Sequence, residues 1–121
     1  MPRKKPIDHV RKICLALPQA TEKTAWGEPT FRVNDKIFAQ YEDHHHDSDI
    51  VGRWCKAPDG MQAALVGAEP NRFYVPKYVG HKGWIGIRME GDVDWAHVTD
   101  LLRDSYRMTA PKRLLPSLDP D

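Results

Sequence analysis

The 121-residue sequence predicts an α+β domain in which helices pack on an antiparallel β-sheet, in the order α-β-β-β-β-α-β-α. Apolar residues recur at helical spacing in three separate segments, and strand-like runs joined by turn residues stand between the first two. The runs adjoin one another instead of alternating with helices. This pattern is typical of antiparallel sheets and argues against a doubly wound nucleotide-binding fold.

Length and composition favour a single soluble domain. Hydrophobic residues make up 40% of the chain and charged residues 29%, as in ordinary globular proteins. No apolar run is long enough to span a membrane, and no secretory signal follows the basic N-terminus, so we expect a cytoplasmic protein. We expect residues 1–115 to form the domain and residues 116–121 a C-terminal tail. Cys14 and Cys55 fall in apolar patterns, which predicts buried, reduced thiols.

The first helix is predicted from apolar residues that recur at helical spacing. They are Val10, Ile13, Cys14 and Leu17. Asp8 is placed to cap the N-terminus of this helix, and Pro18 ends it at or just before the preceding residue.

A β-hairpin is predicted next. Its strands, Thr30–Val33 and Lys36–Tyr41, flank the turn-forming pair Asn34 and Asp35. Side chains alternate along a strand, so three apolar residues of the second strand should share one face. They are Ile37, Ala39 and Tyr41. Residues 50–56 form the next predicted strand.

A second helix and two extended segments follow. Pro58 suits the first turn of this helix, and Gly67 and Pro70 suit its end. Its apolar stripe consists of Met61, Ala64, Leu65 and Ala68. Residues 72–75 form a short extended piece, and residues 84–89 are predicted as a strand. One face of that strand carries Ile85, Ile87 and Met89, and the other carries Trp84, Gly86 and Arg88.

The last helix is predicted over residues 95–109. Asp94 is placed as its N-cap, with Val93 and Val98 at the positions of a hydrophobic staple. Four apolar residues should form its buried face. They are Val98, Leu101, Leu102 and Met108.

Catalytic and metal-binding motifs are weak in this sequence. No serine lies in a G-x-S-x-G turn and nothing places a base beside a nucleophile, so we expect neither enzymatic activity nor a cofactor. His44 and His46 share a side in an extended chain and could hold an adventitious metal ion. Structural zinc sites use spaced ligand pairs instead, and a solvated loop is the alternative interpretation.

The segment YVPKYVGHKGWIGI, residues 74–87, is the strongest candidate for function. It is not a Walker loop, because a strand and not a helix follows its glycines. A structural role is one interpretation: Gly80 and Gly83 would supply positive φ, and Gly86 would let a ring pack on the strand. Nucleic-acid binding is the other, because aromatic side chains stack on bases and basic ones contact phosphates.

Eight residues are candidates for contacts with nucleic acid. The basic ones are Arg53, Lys56, Lys77, His81, Lys82 and Arg88, and the aromatic ones are Tyr78 and Trp84. Strand alternation prevents all eight from sharing one surface, which makes Lys77, His81 and Lys82 the best subset. The net charge of +1 favours only weak binding to a polyanion.

Four segments resemble the MmcQ/YjbR family of small bacterial proteins. They are ICLALPQATE, WGEPTFRVNDKIFA, FYVPKYVGHKGWIGIRM and DSYRMTAPKRLL, and the resemblance extends over residues 7–115. The most specific positions are Leu17-Pro18, Trp26-Gly27 with Pro29 and Phe31, Lys36 with Phe38, Gly83-Trp84, and Ser105-Tyr106. The loop EDHHHDSD departs from the family pattern.

The resemblance implies an α+β fold related to secretion-chaperone-like and CyaY-like domains. It also implies DNA binding through a proposed double-wing motif, and it brings no established catalytic residues. We expect a monomer or weak homodimer that does not associate with membranes and that binds DNA weakly, with little sequence preference. A protein-interaction module and a small-ligand pocket near Tyr78 and His81 are the alternatives.

Overall fold

The structure is a computed structural model and describes residues 6–25, 27–43, 51–76, 79–89 and 93–118. For Glu42, Asp43, Val51 and Arg53 the description is confined to the backbone. The helices are α1 (Pro6–Leu15), α2 (Met61–Ala68), α3 (Trp95–Thr109) and α4 (Leu115–Leu118). The strands are β1 (Thr21–Ala25), β2 (Glu28–Val33), β3 (Lys36–Asp43), β4 (Val51–Cys55), β5 (Phe73–Tyr74) and β6 (Ile85–Arg88). Two 3-10 turns cover Gly80–Lys82 and Lys112–Leu114.

The described strands form one six-stranded sheet in the order β1-β2-β3-β4-β6-β5, and every neighbouring pair is antiparallel. This confirms the predicted α+β class and the four strands expected before α2. β5, which the sequence predicts only as a short extended piece, pairs with β6 and forms one edge of the sheet. Among the described residues, no helix has both the length and the apolar character that crossing a bilayer requires.

A two-residue turn joins β2 to β3. Val33 pairs with Lys36 across it, and Asn34 and Asp35 have positive φ angles of 52° and 61°. Hairpin turns favour this left-handed backbone because its twist matches that of the strands, and asparagine and aspartate tolerate it. The predicted hairpin is confirmed, and the turn places Lys36 at the start of β3.

A β-bulge interrupts the pairing of β2 with β3. Phe31 pairs with Ala39, whereas the next pair along uses Ile37, so Phe38 is an extra residue on β3. A bulge places two residues opposite one and turns the chain locally. Phe38 is therefore fully buried and meets the ring of Tyr106 edge-on at 5.5 Å, while Ile37 is only half-buried. Because Ile37 pairs with Arg32 and Ala39 with Phe31, the prediction that Ile37 and Ala39 share one face is wrong.

Helix α3 covers the face of the sheet that forms the main core. Four fully buried Cα partners cross the central strands on this face: Phe31, Ala39, Cys55 and Ile85. The buried residues of α3 are Val98, Leu101, Leu102, Ser105, Tyr106 and Thr109. Met108, predicted to be buried, is 50% exposed, because the buried residues of α3 lie on a neighbouring face of the helix. The predicted N-cap is confirmed, since the Asp94 carboxylate accepts a hydrogen bond from the His97 amide.

Helix α1 starts earlier than predicted, at Pro6, so Asp8 lies inside its first turn and is not the N-cap. The Arg11 guanidinium connects this helix to β1, because it lies 3.1 Å from the Asp8 carboxylate and 2.6 Å from the Glu22 carboxylate. Cys14, three residues further along α1, is buried and reduced, as predicted.

Helix α2 lies at the surface, although the sequence predicts an apolar stripe on it. None of its residues is buried: Met61 and Leu65 are half-buried, and Ala64 and Ala68 are exposed. Its main strand contact is with the two-residue β5, which offers little area to cover it. The predicted burial of this stripe is therefore only partly correct.

The C-terminal segment packs against the domain. Residues 116–118, expected to begin a tail, belong to α4. Leu114 and Leu118 are each 6% exposed, and the Arg103 guanidinium donates a 3.1 Å hydrogen bond to the Leu118 carbonyl oxygen. This segment therefore adds two leucines to the core.

Candidate nucleic-acid interface

Three lysines from separate parts of the chain converge at one end of the sheet. Lys36 begins β3, Lys56 follows β4, and Lys82 ends the Gly80–Lys82 turn. Burial lowers the pKa of the Lys56 ammonium, and the positive charges of Lys36 and Lys82 lower this pKa further. The strand register brings them to the same end, because Ala39, Cys55 and Ile85 are Cα partners across β3, β4 and β6, and each lysine lies within three residues of one of them. We call Lys36, Lys56 and Lys82 the lysine cluster.

The lysine cluster has no acidic partner in the described part of the chain. Every ion pair found there involves other basic residues, all of them arginines. Lys36 and Lys82 are exposed to solvent, and Lys56 is half-buried. Uncompensated, accessible ammonium groups of this kind attract anions.

An aromatic ring lies beside the lysine cluster. The Lys56 ammonium is 6.0 Å from the centroid of the half-buried Trp84 ring, which is within the range of a cation–π interaction. A tryptophan face next to positive charge is the combination that single-stranded nucleic acid prefers, since bases stack and phosphates pair with cations.

Gln62 of α2 fixes the turn that carries Lys82. Its side-chain amide donates hydrogen bonds to the carbonyl oxygens of Gly80, at 2.7 Å, and Trp84, at 2.6 Å. The two carbonyls flank the turn, so one side chain holds both of its ends. Lys82 and Trp84 are thus presented from a fixed backbone.

Glycines let this segment pack closely, which supports part of the structural interpretation. Gly83 has φ of +85°, as predicted. Gly80 does not have positive φ; there a Cβ would overlap the Val75 side chain. At Gly86 a Cβ would overlap the ring of Tyr74, so the predicted packing of a ring on this glycine is confirmed.

Arg88 does not join the lysine cluster. Its guanidinium lies 5.4 Å from the centroid of the Tyr74 ring. It follows Trp84 by four residues on an extended chain, a rise of about 13 Å. Arg88 and Trp84 thus mark opposite ends of β6.

The remaining predicted residues divide into two groups. His81 is exposed in the same turn as Lys82. Lys77, Tyr78, His44 and His46 lie outside the described residues, as does the side chain of Arg53. Among the described residues, no group of three or more His, Cys, Asp or Glu side chains is placed to share a metal ion.

Two residues of the interface were not predicted as site residues. The hairpin places Lys36 at the start of β3, but only the pairing of Ala39 with Cys55 brings that end of β3 beside the chain that follows β4. Gln62 carries no comparable signal, because its two acceptors lie 18 and 22 residues away in sequence.

Comparisons with known proteins bear on both fold and family. A family model described as YjbR matches residues 15–108. The crystal structure of the Deinococcus radiodurans protein DR2400, with the domain DUF419, is similar with a TM-score of 0.75 and 20% sequence identity. The match covers 96% of this chain and 91% of that chain, and at this identity it shows a shared fold. No curated protein matches the sequence significantly.

Proposed function

The chain belongs to the YjbR family, as its sequence predicts, and from that premise we propose that it is a non-enzymatic domain that binds DNA weakly through the lysine cluster and Trp84. The observation that carries this proposal is that the strand register brings Lys36, Lys56 and Lys82 to one end of the sheet beside the Trp84 ring, without an acidic partner among the described residues. Ammonium groups contact phosphates, and the indole face offers stacking to an unpaired base.

The chemistry of this surface favours binding without sequence preference. A lysine ammonium is a point charge on a flexible stem, whereas base edges are read best by forked side chains held in fixed geometry. Three phosphate contacts predict a slope of about −2.7 for the logarithm of duplex affinity against the logarithm of salt concentration. Raising the salt from about 50 mM to about 200 mM should therefore weaken duplex binding about 40-fold.

Fluorescence anisotropy with labelled single-stranded and duplex DNA of mixed sequence tests this proposal. We expect the double variant Lys36→Ala, Lys82→Ala to reduce the magnitude of the duplex salt slope by about 1.8, because two phosphate contacts are lost. Lys12→Ala with Lys23→Ala is the matched control, since it removes two exposed lysines from α1 and β1.

Two results would overturn the proposal. One is binding that does not respond to salt, and the other is an equal loss of affinity in the two double variants. The second outcome would mean that DNA responds to the overall charge of the protein and not to this surface.

The described part of the structure gives less support to the alternative of a protein-interaction module. The exposed large apolar residues of the described chain are Leu15, Val75 and Met108. They lie on α1, the segment after β5, and α3, and so on three different parts of the fold. Such scattered residues are normal on a protein surface and do not define a docking patch.

A further inference from the structure

Lys56 differs from every other lysine of the described chain in its exposure to solvent. It is half-buried. The other described lysines are all exposed: Lys12, Lys23, Lys36, Lys82 and Lys112. Burial disfavours the charged form of an amine, so Lys56 carries the free, nucleophilic amine for a larger share of the time than an exposed lysine does.

The backbone at each member of the lysine cluster is held by a separate interaction. The Lys56 amide donates a 2.8 Å hydrogen bond to the Ser105 hydroxyl. Lys36 belongs to the pair of β2 and β3 that adjoins the hairpin turn. The turn that carries Lys82 is bound at both ends by the Gln62 side chain. The three side chains therefore leave from fixed backbone positions at one end of the sheet.

The charges around Lys56 also favour its free amine. Burial lowers the pKa of the Lys56 ammonium, and Lys36 and Lys82 lower this pKa further. Attraction to the Trp84 ring favours the charged form, but the 6.0 Å separation is at the outer limit of about 6 Å for a cation–π interaction. No carboxylate of the described residues forms an ion pair with Lys56. A desolvated lysine next to other cations is the arrangement that activates an amine as a nucleophile.

Lys36 and Lys82 determine which electrophile suits this amine. Both are exposed, so their ammonium groups are accessible to a doubly charged anion such as a phosphate group. In an acyl phosphate the carbonyl carbon is bonded directly to a phosphate oxygen. A phosphate group held by the two exposed ammonium groups would therefore bring the carbonyl carbon to Lys56. Holding two reactants together in this way accelerates the reaction between them.

From these observations we propose that Lys56 is a site of acylation by small acyl phosphates, with Lys36 and Lys82 holding the phosphate group. The Lys56 nitrogen forms a bond to the carbonyl carbon, and the bond between that carbon and the phosphate oxygen breaks. The proton that the amine loses leaves on the released inorganic phosphate, so no further reactant is needed. The product is an uncharged amide. Its expected effect on DNA binding rests on the function proposed above, whereas the acylation itself does not.

Timed reaction of the protein with acetyl phosphate, followed by proteolysis and mass spectrometry of the peptides, tests the proposal. We expect the initial acetylation of Lys56 to be at least about tenfold faster than that of the exposed Lys12 and Lys23, because one charge-assisted contact to the phosphate supplies this factor. The acetylating reagent 4-nitrophenyl acetate has no phosphate group and serves as the control. The preference for Lys56 should be much smaller with this reagent.

Variants connect the acetylation to the lysine cluster. The double variant Lys36→Ala, Lys82→Ala should slow acetylation of Lys56 by acetyl phosphate about tenfold, because the contacts to the phosphate are lost. Lys12→Ala with Lys23→Ala is the matched control and should leave the rate at Lys56 unchanged. In the wild-type protein, acetylation should reduce the magnitude of the duplex salt slope by about 0.9, since one phosphate contact is lost. Lys56→Arg cannot be acetylated at this position, so the same treatment should not produce that reduction in this variant.

Three outcomes of the peptide analysis would overturn the proposal. The first is acetylation of Lys56 no faster than that of Lys12 and Lys23, and the second is faster acetylation of Lys36 or Lys82 than of Lys56. The third is an unchanged rate at Lys56 in the Lys36→Ala, Lys82→Ala variant. All three are measured without DNA, so the acylation and the proposed DNA binding can fail separately.

Discussion

The hydroxyl group of Ser105 connects three elements at the centre of the molecule. It accepts a 2.8 Å hydrogen bond from the Lys56 amide and donates a 2.5 Å bond to the Phe38 carbonyl oxygen. Ser105 is fully buried, so neither backbone group has water as an alternative partner at this site. The same residue therefore anchors α3 on β3 and fixes the backbone of Lys56.

Replacing this hydroxyl should measurably destabilise the protein. We expect Ser105→Ala to lower the free energy of unfolding by about 1–3 kcal/mol, because a buried amide and a buried carbonyl lose their shared partner. Ser117→Ala, at an exposed position of α4, is the control and should have little effect. Urea unfolding monitored by circular dichroism measures both, and equal stabilities of the two variants would contradict this role of Ser105.

The pKa of the Lys56 ammonium depends on how close Lys36 and Lys82 lie to it. Its folded-state pKa is lowered by burial and by Lys36 and Lys82. The unfolded chain thus binds this proton more tightly, so the contribution of Lys56 to stability becomes more favourable as pH rises through the alkaline interval between the folded and unfolded pKa values.

We expect the double variant Lys36→Ala, Lys82→Ala to raise the pKa of Lys56, because the two like charges are removed while burial remains. NMR titration of the lysine side chains measures this value. Lys23→Ala is the control and should leave the Lys56 pKa unchanged. A Lys56 pKa that did not respond to the double variant would mean that the three ammonium groups are not close neighbours.

At the scale of elements, the Gly80–Lys82 turn depends on α2 for its position. We expect Gln62→Leu to speed hydrogen exchange at the Lys82 and Gly83 amides, because the hydrogen bonds to Gly80 and Trp84 are lost. DNA affinity should fall together with this local order. Ala64→Leu, an exposed change on the same helix, should leave both unchanged, and equal exchange rates in the two variants would argue against this role of Gln62.

The elements that sequence predicts well are those fixed by local chemistry. Asp94 caps α3 because its side chain accepts a hydrogen bond from the first turn of the helix. The hairpin turn forms at Asn34 and Asp35 because these residue types tolerate a positive φ. The bulge at Phe38 is different, because it is stabilised by packing on Tyr106, a residue of a distant helix. The predicted burial of Met108 is wrong for a related reason. Helical spacing is compatible with more than one buried face, and packing against the sheet selects the face that is buried.

Some residues of the candidate site can likewise be predicted from local sequence, whereas others are brought together only by the tertiary fold. Lys56, Lys82 and Trp84 were recognisable because basic and aromatic residues cluster in one segment and along one strand. Their proximity to Lys36 depends on the register of β3 with β4, which no local pattern sets. Arg88 shared a predicted face with Trp84, but a shared face does not imply proximity over the length of a strand.

At the scale of the whole molecule, the C-terminal residues contribute to the core. We expect Leu118→Ala to lower the free energy of unfolding by about 2–5 kcal/mol, as is typical for a buried leucine. The same substitution at Leu15, which is 42% exposed, should cost much less. Chemical denaturation of both variants measures the difference. Equal costs would mean that α4 does not stabilise the domain.

The edges of the sheet have a consequence for how copies of the protein meet. An edge strand offers unpaired backbone groups to which another chain can add, and long apolar edges promote aggregation. Here one edge strand, β5, has two residues, and the other, β1, carries Glu22 and Lys23 along a largely exposed strand. The short length of β5 and the charged side chains of β1 each disfavour pairing with a strand from another chain. We therefore expect neither edge of the sheet to act as a template to which further copies of the chain add.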